Sequence, residues 1–179
     1  MNILVLNGSP RKNGNTAKMI EAFVRGAQEN GNSVTVMDVC RMNIRGCLAC
    51  EHCHVKEKGK CIQSDDMQKI YTLLDSSQML VLASPIYYHN MTGQLKCAID
   101  RFYVTSDEKK LGSISKVRML LSSGDKYMYD GAMFSYRGDF LDYLGLEDMG
   151  VFTSYGDVEK DPDLLRKIEE MGKGLSLGE

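Results

Sequence analysis

The segment NGSPRKNGNT, residues 7–16, directly follows an apolar run at residues 3–6 and precedes an amphipathic stretch at residues 17–29. The apolar run predicts a buried strand, and the amphipathic stretch predicts a helix. Between them, Gly8 and Gly14 let backbone N–H groups approach an anion closely, and the start of a helix adds unpaired donors and a favourable dipole. The segment therefore predicts a phosphate-binding loop between the first strand and the first helix.

Five polar side chains of this segment can donate to a phosphate: Ser9, Arg11, Asn13, Asn15 and Thr16. Arg11 can form a bidentate, charge-assisted contact. The pattern is not a P-loop, because no Gly-Lys-Ser/Thr follows, and it is not the three-glycine dinucleotide motif. The alternative is a plain strand-to-helix turn that is capped by Asn15 or Thr16. We interpret the segment as a site for a terminal phosphate.

Apolar runs alternate with amphipathic stretches along the chain. The predicted strands cover residues 2–6, 33–39, 78–83, 116–122 and 149–154, and the predicted helices cover residues 17–29, a segment from about 64, and residues 92–103, 134–144 and 163–171. This alternation is typical of a parallel sheet that is covered by helices on both faces. We expect one α/β domain over residues 1–171 and a frayed tail over residues 172–179.

The unusual segments all follow predicted strands. They are residues 7–16, 40–63, 84–91 and 122–130. Ligands of open parallel sheets bind at the carboxyl ends of the strands, where the strand order reverses. The four segments are therefore expected to meet at one shared site.

Composition excludes several classes of function. The chain has 179 residues, a formal net charge of −2 and 43% hydrophobic residues, which does not predict a nucleic-acid or membrane-binding surface. No apolar run reaches transmembrane length, and the first residues lack the basic segment of a signal peptide. We therefore expect a cytosolic protein whose six cysteines are metal ligands, redox groups or packing residues rather than disulfides.

Four of the cysteines lie in the segment after the second strand: Cys47, Cys50, Cys53 and Cys61. The first three are separated by two residues each, so their thiolates can meet successive corners of an iron–sulfur cubane, with the fourth returning from a short loop. Zinc is a second interpretation, with His52 or His54 as an additional ligand. Reduced thiols packed under the loop, without metal, are the third. The spacing leaves all three open.

The chain resembles the flavodoxin-like NAD(P)H-dependent FMN reductases, and more closely their iron–sulfur flavoprotein relatives. The resemblance rests on NGSPRKNGNT at residues 7–16, GCLACEHC at 46–53, GKCIQSDDM at 59–67 and SPIYYHNMTGQLKCAIDR at 84–101. It covers nearly all of the first 101 residues in the expected order. The fold it implies is a flavodoxin-like three-layer sandwich with a five-stranded parallel sheet of order 2-1-3-4-5.

The resemblance also implies roles for individual residues. Ser9, Arg11, Asn15 and Thr16 are expected to hold the FMN phosphate, and Pro85, Ile86, Tyr87, Asn90 and Met91 are expected to flank the isoalloxazine ring. Tyr87 or Tyr88 offers the ring a flat amphipathic face. The segment after the fourth strand departs from the family pattern, but Ser122, Ser123 and Gly124 are still expected on the other side of the ring. The cysteine motif of the iron–sulfur flavoproteins ligates a [4Fe–4S] cluster, but similar cysteines occur in relatives that carry FMN alone.

The predicted function is that of an FMN-dependent oxidoreductase. NAD(P)H delivers hydride to the flavin, and the flavin passes electrons to a small acceptor such as a quinone or free flavin. The alternatives are an iron–sulfur flavoprotein or a flavodoxin-type carrier, fed by ferredoxin. The resemblance implies a homodimer or homotetramer with the flavin near the subunit boundary. The predicted contacts there are Met67, Met91, Phe102 and Tyr103, and Lys96, Asp100 and Arg101 are predicted surface or subunit contacts.

Overall fold

The sheet has five strands, all parallel. A computed structural model describes residues 1–108 and 110–176. The strands are β1 (Asn2–Asn7), β2 (Ser33–Asp38), β3 (Met79–Pro85), β4 (Lys116–Ser123) and β5 (Glu147–Tyr155). Their order is β2-β1-β3-β4-β5, and each neighbouring pair runs parallel. The predicted fold class and strand order are confirmed.

Helices connect the strands. They are α1 (Asn15–Glu29), α2 (His52–Val55), α3 (Met67–Ser76), α4 (Gly93–Asp100), α5 (Asp130–Ser135) and α6 (Pro162–Lys173). Two predicted helices change helix type along their length in the structure. The helix predicted over residues 92–103 changes to a 3₁₀ helix at Arg101–Glu108, and the helix predicted over residues 134–144 is the short α5 followed by a π-helix at Tyr136–Tyr143. Among the described residues, no helix combines the length and apolar character needed to cross a bilayer.

The central strands are buried on both faces, which explains why they are almost continuously apolar in sequence. In β1, Leu4 and Leu6 face a core that is completed by α3 and α4. Ile3 and Val5, which alternate with them, face a second core under α1 and α6. This alternation positions the loop after β1 between the two helical layers, at the carboxyl edge of the sheet.

Helices α1 and α6 touch through their backbones. A Cβ on Gly26 would lie 1.9 Å from a carbonyl oxygen of α6, and a Cβ on Gly172 would lie 2.6 Å from a carbonyl oxygen of α1. Gly172 belongs to α6, and Leu175 beyond it is only 3% exposed. The prediction of a frayed tail is therefore wrong for Gly172 and Leu175, because α6 continues and docks on α1. Residues 177–179 lie outside the described residues.

Candidate functional site

A cavity of about 630 Å³ opens at the carboxyl ends of the strands. Its walls come from the loops after β1, β3, β4 and β5, and its lining residues are Ser9, Arg11, Asn13, Gly14, Asn15, Thr16, Pro85, Ile86, Tyr87, Ser122, Ser123, Gly124 and Gly156. Three of the four segments predicted to share one site therefore do so. The segment after β2 does not line this cavity.

The phosphate loop, residues 7–16, is folded by its own polar side chains. Asn7 anchors its start: the Asn7 side-chain amide donates to Asp38 at 2.8 Å, and its Oδ1 accepts the Ser9 N–H at 2.9 Å. The Ser9 hydroxyl oxygen in turn accepts the Arg11 N–H at 3.3 Å. These short-range bonds turn the chain so that Ser9 and Arg11 both border the cavity.

The amino end of α1 meets the cavity without a side-chain cap. Its N-cap residue is Gly14, which has no side chain, so the first-turn N–H groups lack a side-chain partner of that kind. The Asn15 side chain donates instead to the Gly156 carbonyl, and the Thr16 hydroxyl lies 2.9 Å from the Ser122 hydroxyl. Neither residue caps the helix. The donor set therefore fits an anion such as a phosphate monoester better than it fits a capped turn.

Thr92 joins the phosphate loop to α4. Its hydroxyl donates to the Gly8 carbonyl at 2.8 Å and accepts the Leu95 N–H at 3.4 Å as the N-cap of the helix. The Cys40 thiol also donates to the Gly8 carbonyl, at 2.8 Å. A Cβ on Gly8 would lie 2.8 Å from the Thr92 hydroxyl oxygen, so only glycine fits here. Sequence reasoning missed Thr92, although a threonine that starts a predicted helix is an N-cap signal.

The tyrosine loop, residues 85–91, turns tightly beside the cavity. Tyr87 and Asn90 exchange two backbone hydrogen bonds, at 2.8 and 3.2 Å. Between them, Tyr88 and His89 have φ angles of 49° and 62°, in the left-handed region that side chains rarely adopt. Such strain clusters at functional sites.

Only the first half of this loop lines the cavity. Pro85, Ile86 and Tyr87 do, whereas Tyr88 is fully exposed. Met91 is 4% exposed and packs in the core, and the Asn90 side chain accepts the Met91 N–H at 2.8 Å. The structure therefore does not bring Tyr88, Asn90 and Met91 to the cavity wall.

The opposite wall is formed by the ends of β4 and β5. The Ser122 carbonyl accepts the Ile86 N–H at 2.7 Å, which ties the two walls together. The Ser123 hydroxyl lies 2.9 Å from the Tyr129 hydroxyl, which donates to the Ser154 carbonyl at 2.8 Å. Burial raises the pKa of the Tyr129 phenol, so the phenol stays neutral. Its hydroxyl links Ser123 at the end of β4 to Ser154 in β5. Sequence reasoning missed this tyrosine.

The cysteine loop, residues 46–63, lies apart from the cavity wall. Cys47 and Cys50 are exposed, and Cys53 and Cys61 are partly buried. Burial raises the pKa of the Cys53 thiol, and the charges of the other three thiols raise it further.

The arrangement of the possible ligands in the described part of the chain argues against a site for a single metal ion. Among residues 1–108 and 110–176, no three histidine, cysteine, aspartate or glutamate side chains converge on a point where one ion could bind. A tetrahedral zinc site would hold its sulfurs about 3.8 Å apart. A cubane binds each thiolate to a different iron and tolerates a wider spacing. The His54 ring nitrogen already lies 2.9 Å from the Tyr103 carbonyl oxygen.

Arg101 was predicted to be a surface or subunit contact, but it is buried within the chain. It is only 2% exposed, and its guanidinium pairs with Asp65 at 2.8 Å, while Lys96 and Asp100 form an exposed ion pair. Burial acts to lower the pKa of Arg101, but the hydrogen bonds with Asp65 and the interactions with Tyr71 and Cys61 together outweigh burial and raise it. Burial likewise acts to raise the pKa of Asp65, and the hydrogen bonds from Arg101, Arg45 and Met67 outweigh it and lower that pKa. The pair is ionised.

Three of the predicted subunit contacts are also buried within the chain. Met67 is fully buried, and Met91 and Phe102 pack in the same core. The prediction that these three residues contact another subunit is wrong, because their apolar surface already packs against the sheet. Tyr103 is 40% exposed.

Residues 1–152 match the NADPH-dependent FMN reductase family. The chain belongs to this family. An iron–sulfur flavoprotein of Archaeoglobus fulgidus is 39% identical over 171 residues, which cover 94% of this chain and 76% of that protein. An iron–sulfur flavoprotein of Methanocaldococcus jannaschii is 36% identical over 101 residues, but the match spans only 56% of this chain and 50% of that protein.

The fold of this FMN reductase family member also matches solved structures. The structure of an NAD(P)H:quinone oxidoreductase from Methanothermobacter marburgensis superposes with a TM-score of 0.77 and 20% identity, covering 100% of this chain and 98% of that one. At this identity the likeness shows the fold alone. Family membership makes the chain an oxidoreductase that uses FMN and NAD(P)H, and the cavity and phosphate loop fit that cofactor.

Proposed function

We propose that the chain binds FMN in the strand-end cavity and passes electrons from NAD(P)H to a small acceptor such as a quinone or free flavin. The observation that carries this proposal is the pairing of an uncapped helix terminus with an apolar and aromatic wall in one cavity. Gly14 and Arg11 of the phosphate loop line this cavity together with Ile86 and Tyr87 of the tyrosine loop. The cavity volume of about 630 Å³ lies within the range of cofactor pockets.

Different lining residues would bind the phosphate and the ring of FMN. Arg11, Ser9, Asn13 and the first-turn N–H groups of α1 would hold the phosphate, because they combine a cation with several neutral donors. Pro85, Ile86 and Tyr87 on one wall and Ser122, Ser123 and Gly124 on the other would hold the ring. FMN itself supplies two-electron uptake and one-electron release. The protein orients it and restricts the access of water.

The phosphate assignment is tested by Arg11→Ala, with Lys12→Ala as the matched control. Arg11 lines the cavity and the neighbouring Lys12 does not. A charge-assisted hydrogen bond contributes about 1.5–3 kcal/mol, so we expect FMN affinity to fall about 10- to 150-fold in Arg11→Ala. Riboflavin, which lacks the phosphate, should bind both variants like the wild type. Equal weakening of FMN by both variants would contradict a direct contact.

The electron donor is tested by stopped-flow mixing of the FMN-loaded protein with NADPH and with NADH. Loss of the flavin absorbance with either reductant, followed by reoxidation with a quinone or free flavin, supports the proposal. An absence of reduction by both, with reduction by ferredoxin, would favour the alternatives of a ferredoxin-fed flavoprotein or a flavodoxin-type carrier.

A second candidate function is that of an iron–sulfur flavoprotein, in which Cys47, Cys50, Cys53 and Cys61 hold a [4Fe–4S] cluster. The favouring observation is that four cysteine thiols share one loop, two of them exposed. The 39% identity to an iron–sulfur flavoprotein supports it. Iron and sulfide analysis of anaerobically purified protein tests it, with about four irons per chain expected. Flavin bands without iron would refute it.

We also propose a homodimer or homotetramer in the cytosol. Large aromatic side chains are exposed on the tyrosine loop, in the segment after β4 and on α5: Tyr87, Tyr88, Tyr127 and Phe134. A second copy of the chain is the occupant we favour for this surface, because single chains rarely leave so many aromatic rings in water. Light scattering tests the assembly. The exposed Cys47 and Cys50 thiols suit a reducing compartment.

A further inference from the structure

The segment between β5 and α6 is bound to the start of α1. Asn15, the first residue of α1, holds it through both polar atoms of its side-chain amide. The nitrogen Nδ2 donates to the Gly156 carbonyl, and Oδ1 accepts the Val158 N–H at 3.3 Å. We call residues 156–161 the β5–α6 loop. Asn15 therefore fixes two consecutive peptide groups of this loop, which lie on either side of Asp157.

The rest of the β5–α6 loop has anchors of its own. Val158 is fully buried in the core under α1 and α6. The Asp157 carboxylate accepts the Glu159 N–H at 3.1 Å, and a carboxylate oxygen of Glu159 lies 2.9 Å from Lys18 Nζ on α1. These contacts hold the loop from residue 157 onward. The bond to the Gly156 carbonyl extends this support to the residue before them.

Gly156 is the residue of this loop that lines the cavity. Its N–H donates to the carbonyl of Ser123, which lines the same cavity. That bond measures 3.0 Å. The φ angle of Gly156 is 68°, in the left-handed region that favours glycine. Because glycine has no side chain to pack, the place of this part of the wall depends on backbone bonds, to Ser123 on one side and to Asn15 on the other.

The contacts of Asn15 compete with the role that its sequence position predicts. A side-chain amide has one acceptor oxygen and two N–H donors on one nitrogen. In Asn15 the oxygen and the nitrogen both bind the β5–α6 loop. Turning the amide toward a phosphate would release Gly156 and Val158. Arg11, Ser9 and the first-turn N–H groups of α1 supply donors for a phosphate without such a loss.

We propose that Asn15 is a positioning residue of the flavin site: it holds Gly156 in the cavity wall beside Ser123 and does not itself bind the phosphate. This inference rests on the proposed function, because it needs a flavin in the cavity. Ser123 belongs to the wall proposed for the ring, and the ring is common to FMN and riboflavin. Loss of the Asn15 side chain therefore weakens the binding of both flavins to the same degree.

The first test is titration of flavin-free Asn15→Ala with FMN and with riboflavin. We expect both affinities to fall by about two- to tenfold, as the loss of a neutral hydrogen bond predicts, with their ratio unchanged. Arg11→Ala is the reference for a phosphate contact, because there FMN alone should weaken. A loss for FMN without a loss for riboflavin would make Asn15 a phosphate ligand and overturn the proposal, and so would wild-type affinity for both flavins.

The matched control is Asn30→Ala. Asn30 lies at the other end of α1, and its side-chain amide likewise donates to a distant backbone carbonyl, that of Leu175, at 2.7 Å. Its loss should lower Tm in the same way as Asn15→Ala but leave both flavin affinities unchanged. Equal weakening of the flavins in the two variants would indicate a general loss of stability and overturn the proposal.

The second test compares the surroundings of the flavin and of the loop. The visible circular dichroism of bound FMN should change in Asn15→Ala and stay as in the wild type in Asn30→Ala, because only the first displaces the cavity wall. In flavin-free protein, hydrogen exchange of the Val158 amide should accelerate about tenfold or more in Asn15→Ala, since its acceptor is gone. An unchanged spectrum or unchanged exchange overturns the positioning role. A wild type that binds neither flavin overturns the proposed function itself, whereas the outcomes above, in a wild type that binds FMN, overturn this inference alone.

Discussion

Thr92 connects the phosphate loop to α4 through its hydroxyl group. The substitution Thr92→Val tests whether these hydrogen bonds stabilise the cavity. Valine has nearly the shape of threonine but can neither donate to the Gly8 carbonyl nor accept the Leu95 N–H, which Thr92 does at 2.8 and 3.4 Å. Thr92 is fully buried, so water cannot replace the lost partners. The change removes one hydrogen bond and one helix cap without changing the packed volume.

The expected cost follows from these two losses. A hydrogen bond contributes about 0.5–1.5 kcal/mol, and loss of an N-cap costs about 0.5–2 kcal/mol. The Gly8 carbonyl keeps a second donor, the Cys40 thiol at 2.8 Å, so it is not left unsatisfied. We therefore expect the lower half of the summed range, a loss of about 1–2 kcal/mol. For a chain of this size that lowers Tm by about 2–8 °C.

The assay is thermal unfolding of the FMN-free protein, followed by FMN titration. FMN should bind Thr92→Val more weakly, by up to about tenfold if 1.4 kcal/mol of the loss falls on the bound state. Thr92→Ser keeps the hydroxyl and is the control. If Thr92→Ser loses as much stability as Thr92→Val, the methyl group and not the hydroxyl is responsible. A Thr92→Val protein with wild-type Tm would refute the reasoning.

Three further predictions follow from close contacts and from one ion pair. Gly26→Ala should lower the free energy of unfolding by about 3 kcal/mol or more, because its Cβ would lie 1.9 Å from a carbonyl oxygen of α6. Urea unfolding measures this loss. Gly138→Ala is the control, because Gly138 has open space around it. Gly131→Ala should weaken FMN binding and alter the flavin spectrum, since its Cβ would lie 2.5 Å from the His89 carbonyl oxygen and displace the tyrosine loop. Asp65→Asn should lower the free energy of unfolding by about 3–5 kcal/mol between pH 5 and 8, because it leaves the buried charge of Arg101 without its partner. The folded-state pKa of Asp65 is lowered, so its contribution is present above the unfolded pKa of about 3.9 and is lost as pH falls through the folded value. The difference in free energy of unfolding between the wild type and Asp65→Asn should therefore shrink as the pH is lowered. A difference that stays constant in acid would contradict this prediction.

The strands were predictable because burial on both faces leaves a direct mark on the sequence. The runs at residues 3–6 and 79–83 are apolar at every position, and both are strands in the structure. The helix that was predicted to run past Arg101 instead changes to a 3₁₀ helix there. Arg101 at that position is held in a buried ion pair with Asp65, a long-range contact that local periodicity does not report.

The cavity was predictable in outline because its lining comes from short segments that follow strands. The phosphate loop carries its own signal in glycines and polar side chains, and all five predicted donors in it border the cavity. It was harder to predict which residues of the tyrosine loop line the cavity. The left-handed turn at Tyr88 and His89 reverses the chain, so residues on its two sides have different surroundings. Met91 consequently packs in the core, although it is only four positions from Tyr87 in the cavity wall.

The sequence by itself determined the class of sheet, the position of the phosphate loop and the four cysteines that share one loop. All of these are local properties: hydrophobic periodicity, glycine content and spacing. Only the tertiary structure decided that Arg101 is buried against Asp65, 36 residues away, while the neighbouring Lys96 and Asp100 stay exposed. In sequence these charges look alike. Their environments differ because burial and pairing depend on which distant segments fold against them.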